Sequence, residues 1–297
     1  MIQMTILGRF YAYQKLRFPI ITLLLGLIPA ILSTAAIVTQ NPSILKIIGG
    51  LVASILYLLH VRIIDEKRDF HHDSIYHKSR PLQTGLVSMK ELQIIDAYSI
   101  TIFLAVAFFA GIYPFLLGLL MLSYSYIASK EFFMGEKLRQ HFFIYNIINT
   151  NQSFMMQLFA YSFFAGFIPF TLLVGLHFIF TGIGTITFEF VRKLKIPGMD
   201  GTGKDTYTWF LGFNNAIVIY IIFALLVTVL FYQIMTTITW QNTFWIFFSA
   251  FMFCITLLFA LMHLIKRTIR TEQLMQLSFV IVYAIFNLVI YYKSITW

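Results

Sequence analysis

Charged side chains are scarce in this sequence. Only 11% of its 297 residues are Asp, Glu, Lys or Arg, whereas 59% are hydrophobic. A soluble domain carries about a quarter charged residues, so the composition excludes an ordinary soluble globular protein. The mean hydropathy of +0.82 is typical of a chain that crosses a membrane several times. We therefore predict an all-α polytopic membrane protein.

Cysteine is almost absent as well. The single thiol, Cys254, lies in an apolar run, so the sequence offers neither a disulfide framework nor a cysteine-based metal site. We expect Cys254 to be a small buried hydrophobic residue. The chain also lacks linkers and low-complexity tracts, and we predict one transmembrane domain over residues 1–297.

Long apolar runs dominate the chain instead. Each run is long enough to span a bilayer as a helix, which needs about 20 residues. The first run is too long for the hydrophobic region of a signal peptide, so we interpret it as a helix of the mature protein. The nine predicted spans are residues 18–39, 45–64, 91–110, 112–129, 142–165, 168–190, 210–234, 243–264 and 273–292.

The basic residues alternate between the two sides of this predicted topology. All Lys and Arg except Lys46 and Lys293 lie at the N-terminus or in every second loop. The positive-inside rule then predicts a cytoplasmic N-terminus, an outer C-terminus and cytoplasmic charged loops, in the inner or plasma membrane of the cell. Because the bases form no single patch, the net charge of +9 does not indicate nucleic-acid binding.

A strongly charged stretch, "DEKRDFHHDSIYHKSRPLQTG", follows the second predicted helix. Asp65, Asp69 and Asp73 are spaced i, i+4 and i+8, and Glu66 adds a fourth carboxylate. If the helix continues through this stretch, all four project from one face. Like charges at this spacing repel, so we expect a cation among them. Carboxylates combined with water and substrate phosphates suit Mg²⁺.

Two other interpretations of the stretch stay open on the residues alone. The carboxylates are also compatible with a solvated helix end, with Lys67, Arg68 and the nearby histidines as counter-ions. A zinc or iron site through His71, His72 and His77 is the second alternative, although this spacing matches no standard site.

The stretch resembles the first motif of the UbiA superfamily of intramembrane prenyltransferases, N-D-x-x-D-x-x-x-D. Asp69 and Asp73 match the motif, whereas Asp65 stands where the family has Asn and Glu66 where it has Asp. Residues 80–85, Arg-Pro-Leu-Gln-Thr-Gly, are similar to the family's R-P-[LI]-x-x-G. The resemblance implies a UbiA-like bundle of about nine helices with a central cavity open to the cytoplasmic side.

The family's second acidic motif, D-x-x-x-D after the sixth helix, is altered in this chain. Glu189, followed by Arg192 and Lys193, takes the place of the expected acidic pair. Asp200 and Asp205 follow further along the same loop. Glu189, Asp200 and Asp205 are therefore competing candidates for a second metal-binding position.

The resemblance implies a reaction and a set of site residues. The implied reaction is Mg²⁺-dependent transfer of an isoprenyl group from an allylic diphosphate to an aromatic or other lipophilic acceptor among membrane lipids. The first motif would hold Mg²⁺. The bases expected to bind the diphosphate are Arg80, Lys130, Arg192 and Lys193, with support from Tyr126 and Asn149.

The fifth predicted helix carries amides that are costly in hydrocarbon: Asn146, Asn149, Asn151, Gln152 and Gln157. Such residues face the bundle interior or a watery cavity. Substrate contact and hydrogen bonding between helices explain them equally well.

Three alternative functions remain compatible with the sequence. One is a transferase of the same fold that acts on polyprenyl phosphate. Another is a transporter or cation permease with an acidic entry site, which predicts ionisable residues deep inside the helices. The third is a non-catalytic relative. The acids gather beside loops, which favours the transferase, and no residue selects among acceptors.

Overall fold

The structure of the chain, a computed structural model, describes residues 5–39, 41–196, 198, 206–240 and 243–296, without the side chains of Glu136 and Arg139. Contacts within the chain define two compact units. The first unit comprises Met1–Leu27 and Ser43–Phe167, and the second comprises Ile28–Pro42 and Ile168–Trp297.

The described residues of the first unit form helices and short connecting segments. A short 3₁₀ turn at Glu131–Phe133 follows α6. The helices in chain order are α1 Ile6–Arg17, α2 Ile20–Val38, α3 Ile44–Arg68, α4 Phe70–Tyr76, α5 Met89–Ala110, α6 Ile112–Ser129, α7 Gly135–Gln140 and α8 Phe142–Ala165.

The second unit is also helical over the part of the chain that the structure describes. It receives the C-terminal part of α2, because the division between the units falls within that helix. Its other helices are α9 Leu172–Arg192, α10 Tyr207–Leu211, α11 Phe213–Thr239, α12 Thr243–Lys266 and α13 Ile269–Thr296.

Eight of the described helices are long and apolar enough to cross a membrane: α2, α3, α5, α6, α9, α11, α12 and α13. The helix α8 has 24 residues, but its amide side chains lower its hydropathy. The chain is therefore an integral membrane protein of the all-α class, as the composition predicts. Nine spans stay a prediction that depends on α8.

A glycine turn, a helix cap and apolar packing hold the segment between α4 and α5 in place. Gly85 has φ +75°, a backbone conformation that favours glycine. Leu82 and Val87 are buried in a core cluster with residues of α1 and α3. Ser88 begins α5 with a capping box, in which its hydroxyl accepts from the Glu91 N–H and the Glu91 carboxylate accepts from the Ser88 N–H. This loop is therefore packed in place.

His60 joins three helices inside the first unit. Its Nδ1 lies 2.7 Å from a carboxylate oxygen of Asp96 on α5. Its Nε2 lies 2.8 Å from the hydroxyl oxygen of Ser125 on α6. His60 is buried on α3, so these contacts link the three helices through hydrogen bonds rather than through apolar packing alone.

Cys254 is exposed on α12, so the expectation that it is buried is wrong. Phe247, Phe251 and Leu258 are also exposed, and their spacing places all four residues on one face of the helix. An exposed apolar face on a membrane-spanning helix meets lipid, where a thiol is as acceptable as in a protein core.

Gly184 allows close packing within the second unit. A Cβ added to this residue would overlap the ring of Tyr283, whereas a Cβ added to Gly175 on the same helix would meet nothing within 4 Å. We expect Gly184→Ala to lower the midpoint of thermal unfolding in detergent, because overpacking costs about 1–3 kcal/mol. Gly175→Ala is the matched control and should leave the midpoint unchanged or raise it. Equal midpoints for the two variants would contradict the close approach.

Candidate functional site

The acidic motif spans the junction of α3 and α4. Asp65 and Glu66 lie in the last turn of α3, and Asp73 lies in α4. Between the helices, Asp69 has φ −89° and ψ 3°, so the helix does not continue through the motif. The continuous helix that would place all four carboxylates on one face is therefore not formed. The structure divides them into a buried pair and a partly exposed pair.

Glu66 belongs to the buried pair and has no exposed side-chain area. Its Oε1 accepts a hydrogen bond of 2.7 Å from Nε of Arg17 on α1 and one of 2.7 Å from Nη2 of Arg62 on α3. Among the described residues, its Oε2 has no hydrogen-bond partner. A buried carboxylate oxygen without a partner is costly unless a further donor or a cation reaches it.

Asp73 is the second buried carboxylate, with 2% of its side chain exposed. The guanidinium of Arg80 forms an ion pair with its Oδ2. Asp73 and Arg80 both lie close enough to Glu66 to interact electrostatically with its carboxylate. The structure thus brings Arg80, the base of the R-P-[LI]-x-x-G resemblance, directly to the acidic cluster.

Asp65 and Asp69 form the partly exposed pair, on either side of Arg68. Arg68 lies 2.8 Å from an oxygen of Asp65 and 3.1 Å from an oxygen of Asp69. It also donates a hydrogen bond of 3.1 Å to Oδ1 of Asn149 on α8. Asp65 and Asp69 have 30% and 36% of their side chains exposed. Both carboxylates can therefore be approached from solvent, and the structure brings Asn149 to the acidic motif through Arg68.

Glu189 forms a separate charged group in the second unit. Its carboxylate lies 2.8 Å from Nη2 of Arg192 and 3.0 Å from Nζ of Lys193. Arg192 and Lys193, two of the four bases predicted for the diphosphate, thus pair with the neighbouring acid in this structure. The other two candidates of this loop, Asp200 and Asp205, lie outside the described residues.

Tyr207 lies beside this charged group. Its ring stacks on that of Phe190, with 4.2 Å between the centroids. Burial is the main cause that raises the pKa of Tyr207 to about 12, and the negative charge of Glu189 adds to the effect. The phenol therefore keeps its proton, and its ability to donate a hydrogen bond, to a higher pH than an ordinary tyrosine.

Tyr126 and Lys130 are exposed at the C-terminal end of α6. The two buried carboxylates of the acidic motif pair instead with Arg17, Arg62 and Arg80. A role for Tyr126 and Lys130 at the site stays a prediction.

Several charged partners were not predicted from the sequence. Arg62 and Glu66 have the i, i+4 spacing of a helical ion pair, a signal that could have identified Arg62. Arg17 precedes Glu66 by 49 residues and carries no such local signal. In the second unit, Lys195 pairs at 2.6 Å with Glu272, a buried carboxylate on α13.

The carboxylates of the acidic motif are the type of ligand that a hard divalent cation prefers. Asp65 and Asp69 offer accessible carboxylates, and Glu66 offers an oxygen without a hydrogen-bond partner. Mg²⁺ prefers a few carboxylates together with water and substrate phosphates.

Comparisons with known proteins agree with this architecture. No protein-family model matches the chain, and no curated protein matches it. Among solved structures, the apo UbiA homologue from Aeropyrum pernix K1 is 16% identical over 88% of this chain and 96% of that chain, with a TM-score of 0.65. The chain has the UbiA fold. The resemblance inferred from the motifs is thus confirmed at the level of the fold.

Two further structures share the UbiA fold with this chain. Digeranylgeranylglyceryl phosphate synthase is 16% identical over 99% of this chain and 100% of that one, with a TM-score of 0.65. A UbiA homologue from Archaeoglobus fulgidus, bound to GPP and Mg²⁺, is 15% identical over 96% of this chain and 99% of that one, with a TM-score of 0.62.

Glu66 should be the most sensitive ion-pair residue of the first unit. We expect Glu66→Gln to cost about 3–5 kcal/mol, because it leaves Arg17 and Arg62 partly buried without their counter-charge. Glu189→Gln is the matched control. It should cost less than about 1 kcal/mol, since the guanidinium of Arg192 is half exposed. Thermal unfolding in detergent measures the stability of both variants. An equal loss of stability in the two would contradict the greater sensitivity expected for Glu66.

Proposed function

We propose that this chain is a UbiA-superfamily enzyme that transfers an isoprenyl group from an allylic diphosphate to an aromatic or other lipophilic acceptor in the membrane. The observation that carries the proposal is the cluster of Asp65, Glu66, Asp69 and Asp73 with Arg80, in a chain that has the UbiA fold. The solved UbiA homologues from Archaeoglobus fulgidus that are bound to Mg²⁺ and to DMAPP or GPP support it.

In this proposal the partly exposed carboxylates provide the metal ligands. Asp65 and Asp69 hold Mg²⁺ from the solvent-accessible side, and Oε2 of Glu66, a buried oxygen without a hydrogen-bond partner among the described residues, is a further candidate ligand. When bound, Mg²⁺ neutralises the charge that builds on the departing diphosphate. Arg68 and Asn149 keep Asp65 and Asp69 in orientation through their contacts.

Arg80 is proposed to bind the diphosphate while it stays paired with Asp73. Its guanidinium has several N–H donors, so it can keep its contact with Asp73 and still donate to a phosphate oxygen. Arginine also binds phosphate through two parallel hydrogen bonds, which fixes the position of the head group. Such donors stabilise negative charge most strongly where water is excluded.

The remaining predicted residues supply the second acidic position or support diphosphate binding in the proposal. Glu189, Asp200 and Asp205 would supply the second acidic position, and the pairing of Glu189 with two bases favours one of the other acids as a metal ligand. The further proposed diphosphate and support residues are Lys130, Arg192, Lys193 and Tyr126.

The membrane arrangement completes the proposal. We place the N-terminus and the acidic loops in the cytoplasm, with a single domain whose central cavity opens on that side. The isoprenyl chain would lie among the helices, where exclusion of water protects an allylic carbocation from hydrolysis.

The proposal predicts Mg²⁺-dependent binding of allylic diphosphates. Geranyl, farnesyl and geranylgeranyl diphosphates would be titrated into the protein in detergent, with Mg²⁺ or with EDTA. Asp69→Ala and Asp73→Ala should each weaken binding at least about tenfold, or roughly 1.4 kcal/mol, because each removes a charge from the metal and diphosphate site. Diphosphate release in the presence of candidate acceptors then identifies the reaction.

Glu91→Gln is the matched control for these variants, because Glu91 caps α5 outside the acidic motif. It should retain donor binding. Absence of binding to any donor by the folded wild-type protein would contradict the proposal. Diphosphate release from phosphoribosyl diphosphate with polyprenyl phosphate would indicate the related transferase, and cation flux in proteoliposomes would indicate a permease.

A further inference from the structure

Two histidines and an aspartate gather at the end of α4. Single ligand atoms of His72, Asp73 and His77 all lie within 4.8 Å of one another. Nδ1 of His72 lies 3.5 Å from Oδ1 of Asp73. The two histidines are half-buried, and Asp73 is buried. The cluster therefore joins two nitrogen ligands to one oxygen ligand at a protected position.

The short helix α4 holds these residues in place. Asp73 and His77 are four residues apart, so their side chains lie on one face across the last turn. The backbone N–H of His77 donates a hydrogen bond of 2.8 Å to the carbonyl of Asp73 and closes that turn. The ring of His72 packs against the rings of Tyr76 and His77, with centroids 4.8 Å and 5.7 Å apart. The backbone and these ring contacts limit the movement of the three ligands.

We propose that His72, Asp73 and His77 bind a borderline transition-metal ion of the Zn²⁺ class. Imidazole nitrogen is a good ligand for Zn²⁺, Ni²⁺ and Cu²⁺, whereas Mg²⁺ selects oxygen ligands. Two histidines and one carboxylate are also a ligand set that leaves a fourth position open to water or to an anion. Their ligand atoms lie within 4.8 Å of one another, close enough for one ion to be shared among them after side-chain adjustment.

Arg80 shapes this site without closing it. Its guanidinium pairs with Oδ2 of Asp73, whereas the oxygen that faces His72 is Oδ1. A hydrogen bond to the second oxygen of a ligating carboxylate fixes the orientation of the first, as outer partners commonly do in metal sites. The positive charge of Arg80 also lowers the affinity of Asp73 for a cation, so the neutral imidazoles carry most of the binding.

This site differs from the histidine site considered from the sequence. His71 is exposed and does not belong to the cluster, and Asp73 takes its place. The spacing H-D-x-x-x-H has no standard counterpart in sequence, because the ligands converge through the C-terminal end of α4. The inference goes beyond the proposed prenyl transfer. The two sites share Asp73 and its partner Arg80 but neither histidine, so histidine variants separate the two.

The test uses the purified full-length protein in detergent, stripped of metal and supplied with excess Mg²⁺. Co²⁺ is the probe for ligand geometry through its visible absorption, and Zn²⁺ is titrated by calorimetry. We expect wild-type protein to bind one Zn²⁺, and His72→Gln and His77→Gln each to weaken that binding at least about tenfold through loss of one imidazole ligand.

His71→Gln is the matched control, since it removes the adjacent histidine and should leave Zn²⁺ binding unchanged. Each variant's unfolding midpoint establishes that it is folded. Failure of the wild type to bind Zn²⁺ at micromolar concentrations, or an equal loss in His71→Gln, overturns the site. The histidine variants should keep Mg²⁺-dependent binding of allylic diphosphates, so failure of that activity in the wild type counts against the proposed function alone.

Discussion

Burying a carboxylate without a counter-charge costs several kcal/mol, and Glu66 has no exposed side-chain area. Arg17 and Arg62 supply the missing charge, one from α1 and the other from the preceding turn of α3. This requirement attaches the N-terminal helix to the end of α3, where the packing of Tyr13 and Ile63 reinforces it. The acidic motif, the loop that carries Arg80 and the start of α5 all belong to the same packed region.

The helix breaks at Asp69, and the acidic motif is divided into two pairs. Glu66 and Asp73 are buried, whereas Asp65 and Asp69 stay partly exposed. Arginines on both sides lower the repulsion among the carboxylates. The result is a pair of accessible oxygen ligands above a buried, arginine-linked layer that holds them in position.

The same break creates α4, whose last turn brings two histidines to Asp73. Asp73 therefore belongs to two groups of ligands. One is the set of carboxylate oxygens of the acidic motif, and the other includes the imidazole nitrogens of His72 and His77. Hard cations and borderline transition metals separate naturally between such ligand sets, because they differ in preference for oxygen and nitrogen.

The sequence by itself determined the all-α membrane class and the UbiA resemblance, because a helix in lipid must satisfy its own backbone hydrogen bonds and the motifs are local in the chain. It also indicated Arg80 and Asn149, which the structure brings to the acidic motif. Only the tertiary structure decided that Arg17 meets Glu66, that the helix breaks at Asp69 and that Cys254 is exposed. Each of these depends on which residues are neighbours in space, and Arg17 and Glu66 are 49 residues apart in sequence.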